Sequence, residues 1–555
     1  MVCRGGSETR PYGRLSGAVT ASENGETSAP DGCKVSAMEL DFESCYRAIA
    51  TRDARFDGRF FTGVRTTGIY CRPICPARTP RRENVTFYPT AAAAQEAGYR
   101  SCLRCRPETS PGRGAWHGTS NTVSRALMLI DDGALVEGSV ADLAARLGVG
   151  ERQLCRLFRR HLGASPVAVA QTRRVHLARQ LIAETDLAMT EVALAAGYGS
   201  LRRFNDTFRR LFGRPPSALR RRRAAPTGAA PGSAMTLRLA YRPPYDWDAM
   251  LGFLGARAIP GVERVAGDAY TRTIALDGAF GTVAVTPDPR ASCLVAAVRF
   301  PRVTALPEIL ARLRRIFDLA ADPLAIAAQL GEDPAMAPLV AARPGLRVPG
   351  AWDGFELAVR AILGQQITVA GATRLAGKLA AAYGTKLAPD LASPGLTHAF
   401  PRPERIARAD LATLGMPGTR ARALSAMAAA CVADPLLFAT GESLEAGIER
   451  LVALPGIGKW TASYIAMRAL REPDAFPDAD IGLMRALADA DGARPGAAEL
   501  RARAEAWRPW RAYAALHLWT ADRRASSAQA TVGENRHAAH DRPARHADRH
   551  APSRL

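Results

Sequence analysis

Two groups of residues in this sequence have the types and spacing for chemistry. The first is a set of four cysteines in two close pairs, Cys71 with Cys75 and Cys102 with Cys105. Two such pairs separated by a loop can converge as a tetrahedral thiolate site, and zinc is the metal that such sites most often hold. The sequence therefore predicts one Zn2+ per chain at these four residues.

A glycine turn followed by an aspartate forms the second group. Residues 454–464 read Leu-Pro-Gly-Ile-Gly-Lys-Trp-Thr-Ala-Ser-Tyr between two stretches of helical periodicity, and Asp480 follows. Gly456 and Gly458 allow close backbone approach and leave main-chain N–H groups at a helix N-terminus, which suits a phosphate oxygen of DNA. An ordinary helix-helix turn accounts for the same glycines, so the turn by itself leaves both interpretations open.

The composition bounds the class of protein. At roughly 150 residues per domain, a chain of 555 residues predicts three or four domains. The 74 Lys and Arg against 53 Asp and Glu give a net charge of +21, which favours a polyanion such as DNA as partner. Neither a long apolar run nor a secretion signal is present in the sequence, so we expect a cytoplasmic protein without membrane contact.

The cysteines lie in a first folded segment expected at 38–110, after a polar leader, 1–37, that we expect to be disordered. Residues 65–75 read Arg-Thr-Thr-Gly-Ile-Tyr-Cys-Arg-Pro-Ile-Cys, and residues 82–88 read Arg-Glu-Asn-Val-Thr-Phe-Tyr. With the second cysteine pair, these strings resemble the N-terminal domain of the Ada methylphosphotriester sensor family. The resemblance implies a zinc-binding domain.

The resemblance also implies a reaction at Cys71, which matches the cysteine that takes a methyl group irreversibly from a methylated DNA phosphate. Zinc would keep Cys71 a thiolate at neutral pH, and the thiolate is the nucleophilic form. Four thiolates on Zn2+ carry a net charge of about −2, so alkylation of one removes negative charge that repels DNA. Thr67 and Arg78 match positions that contact the DNA backbone in the family.

A tandem helix-turn-helix is predicted at 119–224. Residues 139–158 and 189–216 each show apolar residues at helical spacing, a glycine turn and a second, basic helix. The tandem resembles the AraC family of transcription activators, which implies two recognition helices in successive major grooves. We place these helices at 151–161 and 200–211.

The segment 235–310 alternates apolar and polar residues in the manner of strands. Its string Tyr-Arg-Pro-Pro-Tyr-Asp-Trp, at 241–247, resembles the start of the small mixed α/β domain that opens the AlkA family of alkylbase glycosylases. The segment 311–522 is helical in pattern, and the string at 352–368 precedes the glycine turn in the order expected of that family. This part of the chain therefore resembles the helix-hairpin-helix DNA glycosylases.

Together these segments predict a multidomain fold, mainly α with small α+β domains. In chain order we expect a zinc domain with four cysteine ligands, a tandem helix-turn-helix, an AlkA-like mixed α/β domain and an all-α helix-hairpin-helix glycosylase domain. A polar tail, 523–555, contains histidines, but its composition is that of a disordered basic tail.

Asp480 matches the catalytic aspartate of the glycosylase family, which lies shortly after the second helix of the hairpin. Most glycoside hydrolases use two carboxylates, one as acid and one facing the sugar. An N-alkylated purine is already cationic and leaves without an acid, so Asp480 alone suffices to stabilise the developing oxocarbenium ion and guide water. An N-cap role at the following helix also explains Asp480, and Asp478 is the nearest rival.

A flipped, electron-poor base is expected to prefer aromatic faces. Trp460, Tyr464 and Trp519 match pocket aromatics of the AlkA family, and core packing is the alternative for each of them. Gln365 and Gln366 stand where the family inserts residues into the gap left by the flipped base. A glutamine at 366 departs from the apolar wedge known in the family.

Trp460 also distinguishes between reaction types. Glycosylases of the endonuclease III type carry a Schiff-base lysine at the matching place and a four-cysteine iron-sulfur loop further on. Here Lys459 is one residue away and points elsewhere on the helix, and no cysteine follows Cys431. The sequence thus predicts base hydrolysis without strand cleavage.

We therefore expect a bifunctional adaptive-response protein, in which a methyl-sensing transcription activator and suicidal methyl acceptor is joined to a monofunctional 3-methyladenine-type glycosylase. The Pro-Cys-His-Arg centre of an alkylguanine transferase is absent from the sequence. Expected partners are double-stranded DNA, as alkylated lesions and promoter sites, and RNA polymerase, with a monomeric chain at the bacterial nucleoid. The alternative is a transcription regulator whose glycosylase-like half is inactive and only holds DNA.

Overall fold

The chain folds mainly into helices with small sheets between them, as the sequence predicted. The computed structural model describes residues 41–111, 121–220, 234–441, 443–489 and 491–522. The predicted leader and tail lie outside these residues. Among the described helices, none has the length and apolar character needed to cross a membrane.

A small sheet carries the cysteine-rich segment. Its elements are α1 (Phe42–Thr51), β1 (Phe61–Val64), β2 (Ile69–Cys71), β3 (Val85–Tyr88), α2 (Ala91–Glu96) and β4 (Arg100–Ser101). The strand order is β3-β1-β2-β4, and β1 pairs antiparallel with both β2 and β3. β2 and β4 run parallel with Tyr70 opposite Ser101. Cys71 directly follows Tyr70, and Cys102 directly follows Ser101. The pairing therefore brings both cysteines to the same end of the sheet.

A run of helices follows and forms the predicted pair of helix-turn-helix units. They are α3 (Asn121–Asp131), α4 (Ala134–Glu137), α5 (Val140–Arg146), α6 (Glu151–Leu162), α7 (Pro166–Glu184), α8 (Met189–Ala195) and α9 (Leu201–Phe212). Ser139 begins α5 with a capping box, and Gly163 and Gly213 end α6 and α9 in the left-handed conformation. The recognition helices predicted at 151–161 and 200–211 correspond to α6 and α9.

Strands dominate the next segment. Its elements are β5 (Met235–Ala240), α10 (Trp247–Gly255), β6 (Glu263–Ala266), β7 (Ala269–Leu276), β8 (Ala279–Asp288) and β9 (Cys293–Arg299). β9 pairs antiparallel with β5 and with β8, and β6 pairs antiparallel with β7. Buried and less buried residues alternate along β8, which is the pattern that the sequence predicted for strands.

Helices make up most of the remaining described chain, with a short strand pair of β10 (Thr385–Lys386) and β11 (His398–Ala399). The helices are α11 (Leu306–Ile316), α12 (Pro323–Leu330), α13 (Ala337–Ala342), α14 (Gly354–Leu363), α15 (Val369–Tyr383), α16 (Pro403–Ala407), α17 (Gly418–Ala433), α18 (Leu444–Val452), α19 (Lys459–Arg468), α20 (Ile481–Ala486), α21 (Ala497–Ala504) and α22, at 511–522. α18 and α19 flank the glycine turn, so the predicted helix-hairpin-helix is confirmed.

The described residues divide into two compact units. One contains those up to 242 together with 276–311 and 319–321, and the other contains the remainder. The cysteine-rich sheet and the helix-turn-helix pair belong to the first unit, and the glycine turn and Asp480 belong to the second. The strands of 235–310, expected as one small domain, contribute residues to both units.

A buried cluster of charges lies in the core of the second unit. Arg272 is 2% exposed, and its guanidinium lies 3.6 Å from Glu263 and 2.6 Å from Glu356. Arg360, on α14, contacts the same two carboxylates. Burial raises the pKa of Glu356, but the two arginines outweigh burial and hold the pKa below its usual range. Each carboxylate therefore has two cationic partners.

Replacing Arg272 with methionine should strongly destabilise the second unit, because two buried carboxylates would then share one arginine. Breaking a buried pair costs about 3–5 kcal/mol, whereas an exposed pair contributes about 1 kcal/mol or less. Arg501→Met is the matched control, since Arg501 pairs with Asp478 at the surface. Denaturant unfolding followed by tryptophan fluorescence measures the difference, because every described tryptophan lies in the second unit. Equal losses for the two variants would contradict the expected result.

Candidate functional site

The four cysteines of the predicted metal site converge. Cys71 ends β2, Cys75 follows in the next turn, and Cys102 and Cys105 follow β4. Their sulfur atoms all lie within 4.8 Å of one another. Zinc holds thiolates at about 2.3 Å in a tetrahedron, which a cluster of this size can form around one ion. The set is purely sulfur, as expected of a zinc site, and the prediction of one Zn2+ per chain is confirmed.

Arg72, which directly follows Cys71, braces this site. Its guanidinium forms an ion pair with buried Asp57 and donates to Thr109 Oγ1 at 2.7 Å. Its backbone N–H donates to Cys105 Sγ at 3.4 Å, a contact that stabilises negative charge on sulfur. Sequence reasoning missed Asp57, because it lies 15 residues from Arg72 and no motif marks it.

The predicted DNA-backbone contacts of this domain lie on its surface. Thr67, in the turn between β1 and β2, is exposed, and its hydroxyl donates to the carbonyl oxygen of Val64 at 3.3 Å. Arg78 is also exposed. Cys71 itself is partly exposed, whereas Cys102 and Cys105 are buried. The residue expected to react is therefore less buried than Cys102 and Cys105.

A cavity of about 520 Å³ in the second unit is lined by the predicted catalytic aspartate and the predicted base-pocket aromatics. Trp460 and Tyr464, one turn apart on α19, stack with ring centroids 5.4 Å apart and an interplanar angle of 7°. Trp519, from α22, meets Tyr464 edge to face at 6.3 Å. All three aromatic side chains line the cavity together with Asp480. The structure thus brings the four residues together around a space large enough for a purine base.

Asp480 is fixed by three N–H groups. Trp460 Nε1 donates to its Oδ2 at 2.8 Å, and Trp519 Nε1 donates to its Oδ1 at 2.9 Å. The backbone N–H of Leu483 also donates to Oδ1, at 3.0 Å, so Asp480 is the N-cap of α20 as well. The N-cap interpretation is therefore confirmed, and the catalytic role of the same side chain stays a prediction. The rival Asp478 is not among the residues that line the cavity.

Asp522, another carboxylate that lines the cavity, was missed by the sequence reasoning. Asp522 accepts two hydrogen bonds from Arg485, at 3.0 and 2.8 Å. A Cβ built on Gly482 would lie 3.0 Å from Asp480 Oδ1 and 3.4 Å from Asp522 Oδ2, so both carboxylates face one small space. The bond with Asp522, and to a smaller extent the charge of Asp480, raises the pKa of Arg485. No local pattern signals this pair.

Charged groups complete the cavity lining. Arg468, buried on α19, donates to the hydroxyl of Tyr464 and to the carbonyl oxygens of Pro349 and Gly350. Burial raises the pKa of Tyr464, but Arg468 together with Arg257 and Arg360 outweighs burial and lowers it. The buried Arg272 cluster lines the same cavity. One set of walls is therefore aromatic and another is ionic.

The glycine turn and the predicted wedge residues lie against each other. Gly456 has φ of 79°, and a Cβ there would lie 2.5 Å from the Cβ of Ala423, so the turn requires glycine. Gly458 is exposed at the start of α19. Gln365 donates to the carbonyl oxygen of Gly456 at 2.9 Å, whereas Gln366 is exposed in the left-handed conformation, with φ of 57°. The two glutamines thus have different environments.

Family models match along most of the described chain. The metal binding domain of Ada matches residues 44–108, and a helix-turn-helix domain matches residues 143–222. The AlkA N-terminal domain matches residues 236–353, and the HhH-GPD superfamily base excision DNA repair protein matches residues 359–512. The order of these matches is the order of the four domain types that the sequence predicted.

Three relatives cover different parts of the chain. The probable bifunctional transcriptional activator/DNA repair enzyme AlkA of Mycobacterium tuberculosis is 45% identical over 87% of this chain and 97% of its own length. DNA-3-methyladenine glycosylase 2 of Escherichia coli is 40% identical over 51% of this chain and 95% of its own length. The bifunctional transcriptional activator/DNA repair enzyme Ada of Escherichia coli is 35% identical over 28% of this chain and 42% of its own length. The chain therefore belongs to the family of AlkA bifunctional transcriptional activator/DNA repair enzymes.

Proposed function

We propose that the chain is a methyl-sensing transcription activator that accepts a methyl group at Cys71 and a glycosylase that removes alkylated purines such as 3-methyladenine at Asp480. The observation that carries this proposal is the presence, in one chain, of a converged four-thiol site and an aromatic cavity with a fixed carboxylate. The assembled cavity favours an enzyme over the alternative of an inactive, DNA-holding half. The names of the relatives agree with both activities.

Base removal requires the damaged nucleotide to leave the duplex and enter the cavity. There a cationic base is attracted to the faces of Trp460 and Tyr464. As the glycosidic bond breaks, its electron pair moves to the base, which leaves neutral, and positive charge develops at C1′. The carboxylate of Asp480 stabilises that charge. Water then forms a bond to C1′ and releases a proton, which leaves an abasic site.

The reaction at Cys71 is a transfer without turnover. Its sulfur forms a bond to the methyl carbon while the bond between that carbon and the phosphate oxygen breaks, and the oxygen keeps the electron pair. The products are S-methylcysteine and an ordinary phosphodiester, so each chain reacts once. Cys71, Cys75, Cys102 and Cys105 would hold the zinc, which would keep their sulfurs as thiolates at neutral pH. Exposed Thr67 and Arg78 are the proposed contacts to the DNA backbone.

Strand cleavage is not part of the proposed reaction. A lyase needs a lysine amine in the cavity, and no lysine is among the described residues that line it. Lys459 is exposed outside the cavity, and Trp460 occupies the neighbouring position with its indole N–H directed at Asp480. The product is therefore an abasic site in an intact strand.

The glycine turn and the glutamines are the proposed contacts to the lesion strand. The exposed backbone N–H groups near Gly456 and Gly458 suit a phosphate oxygen at the start of α19. Gln366 is exposed and is the proposed residue for the gap left by the flipped base. Gln365 precedes it and is held in place, because its side-chain amide donates to the carbonyl oxygen of Gly456 in the turn.

DNA is the proposed partner of both halves of the chain. We propose a monomer that acts on double-stranded DNA at the nucleoid in the bacterial cytoplasm and that contacts RNA polymerase when bound at a promoter. The proposed domains keep the boundaries drawn from the sequence: 38–110, 119–224, 235–310 and 311–522.

Asp480→Asn should reduce release of 3-methyladenine from alkylated duplex DNA by about a hundredfold or more, because a charge that stabilises the transition state is lost. Asparagine retains the N-cap, so the fold should persist. Single-turnover base release measures the effect, and gel-shift binding to the same DNA should stay within about twofold of the unaltered protein. Asp478→Asn is the matched control. If the unaltered protein releases no base, the enzyme proposal is wrong.

Trp460→Phe should slow base release by about tenfold or more while leaving an aromatic ring in the cavity, since a hydrogen bond to a charged group contributes about 1.5–3 kcal/mol. Trp247→Phe is the control, because its indole N–H donates to the carbonyl oxygen of Asp268, outside the cavity. Rates measured at saturating protein separate the chemical step from binding. Unchanged rates for Trp460→Phe would show that its N–H is not needed to orient Asp480.

Cys71→Ser should abolish methyl transfer from DNA that carries labelled methylphosphotriesters, whereas Cys155→Ser should retain it, because Cys155 lies outside the thiol cluster. The label is followed by mass spectrometry of the digested protein. Zinc analysis should give about one ion per unaltered chain, and a chelator that removes it should stop the transfer. Methyl uptake by Cys71→Ser at the normal rate would assign the acceptor elsewhere.

A further inference from the structure

Helix α7 connects the two helix-turn-helix units, and its side chains also reach the two strands that lead into the zinc site. The contacts are made by the residue directly before a ligand cysteine in each case: Tyr70 before Cys71, and Ser101 before Cys102. The two residues are register partners in the parallel pair of β2 and β4. Both contacts lie within the first unit.

Tyr70 is the centre of the first contact. It is fully buried, and its hydroxyl is 3.2 Å from Nε2 of His176 on α7. Gln95, at the end of α2, donates to the same hydroxyl at 2.9 Å and accepts from Thr172 of α7 at 2.9 Å. Burial, with a smaller effect of Arg179, lowers the pKa of His176 to about 3, so its imidazole is neutral. The contact is therefore a closed network of neutral hydrogen bonds.

Arg179 is the centre of the second contact. Its guanidinium donates to Ser101 Oγ at 3.1 Å and lies 3.1 Å from the carboxylate of Glu108. Arg179 is 8% exposed, and the side chain of Glu108 is fully buried. The guanidinium also lies 4.9 Å from the ring centroid of Phe212, the last residue of α9. One buried arginine thus joins the strand before Cys102 to the end of the second recognition helix.

The first recognition helix is fastened to the zinc-binding segment as well. Thr90, the N-cap of α2, donates to the carbonyl oxygen of Leu162 at the end of α6, at 2.8 Å. Ala92 and Ala93 of α2 are part of the same buried apolar core as Phe158 of α6. The C-terminal end of α6 therefore contacts the zinc-binding segment through α2, and that of α9 is joined to it through Arg179.

We propose that His176 and Arg179 are positioning residues, through which α7 holds the zinc-thiolate site in fixed register with both recognition helices, so that methylation of Cys71 is read as higher affinity for specific DNA. This inference rests on the proposed methyl transfer to Cys71. It adds the route by which a reaction on one segment changes binding by another.

The physical need for such a route follows from screening. Methylation changes the charge of the site by one unit, and at physiological ionic strength an exposed charge acts over a Debye length of about 8 Å. A zinc-binding segment on a flexible link would place that charge at varying distances from the phosphates, which would average its effect. Buried contacts to α7 keep one distance to the DNA that α6 and α9 contact.

Tyr70→Phe and Ser101→Ala test the proposal, because each removes a single hydroxyl and leaves the cysteines unchanged. The probe is a duplex selected from random sequence by the methylated, full-length protein. Its dissociation constant is measured before and after reaction with methylphosphotriester DNA. The unaltered protein should gain at least tenfold in affinity, and the double variant should gain less than threefold. Zinc content and the rate of methyl uptake should stay within twofold.

Tyr46→Phe is the matched control, since it removes a tyrosine hydroxyl of the same segment that donates to the carbonyl oxygen of Pro80. It should keep the full gain in affinity. If the double variant loses zinc, Arg179→Lys tests the second contact from α7. This variant should also gain less than threefold in affinity on methylation. A full gain in the double variant, or in Arg179→Lys, would overturn the inference. Absence of methyl uptake by the unaltered protein would instead overturn the proposed reaction at Cys71.

Discussion

Both proposed reaction centres must hold an anion close to DNA, whose phosphates repel it. The net charge of +21 attracts DNA at long range, but salt screens that attraction. Close to each centre, fixed N–H groups therefore matter more than net charge. The backbone N–H of Arg72 faces Cys105 Sγ, and three N–H groups face the carboxylate of Asp480. The ion pair of Arg72 with Asp57 and the helices α19 and α20 hold these donors in place.

At Asp480, the proposed catalytic carboxylate, the same hydrogen bonds also cap a helix. An N-cap carboxylate lies at the positive end of its helix, where negative charge is stabilised. A carboxylate can accept about four hydrogen bonds, and Asp480 accepts two at Oδ1 and one at Oδ2. The remaining acceptor position is on Oδ2, and it is available to the sugar or to water. The cap thus fixes the orientation of the oxygen that is proposed to face the sugar.

The sequence predicted those parts of the sites that short-range patterns encode. Cysteine spacing was enough for the zinc ligands, and helical periodicity was enough for α6 and α9. The partners that hold the sites in place were missed. Asp522 lies 37 residues from Arg485, and Ser101 lies 78 residues from Arg179. Such pairs depend on how distant segments pack, and a single charged or hydroxyl residue carries no periodic signal of its partner.

The identity of the donors at Asp480 matters as much as their number. Successive helical residues point about 100° apart, since 3.6 residues complete a turn, so Trp460 faces Asp480 while Lys459 is exposed. A lysine in place of Trp460 would bring a positive charge to the carboxylate and cancel part of the charge that stabilises the oxocarbenium ion. Both indoles are neutral, so they orient the carboxylate without cancelling it. Arg485 is a cation whose charge reaches Asp480, and its bidentate bond to Asp522 offsets that charge. These contacts are the ones that the proposed role of Asp480 toward the sugar requires.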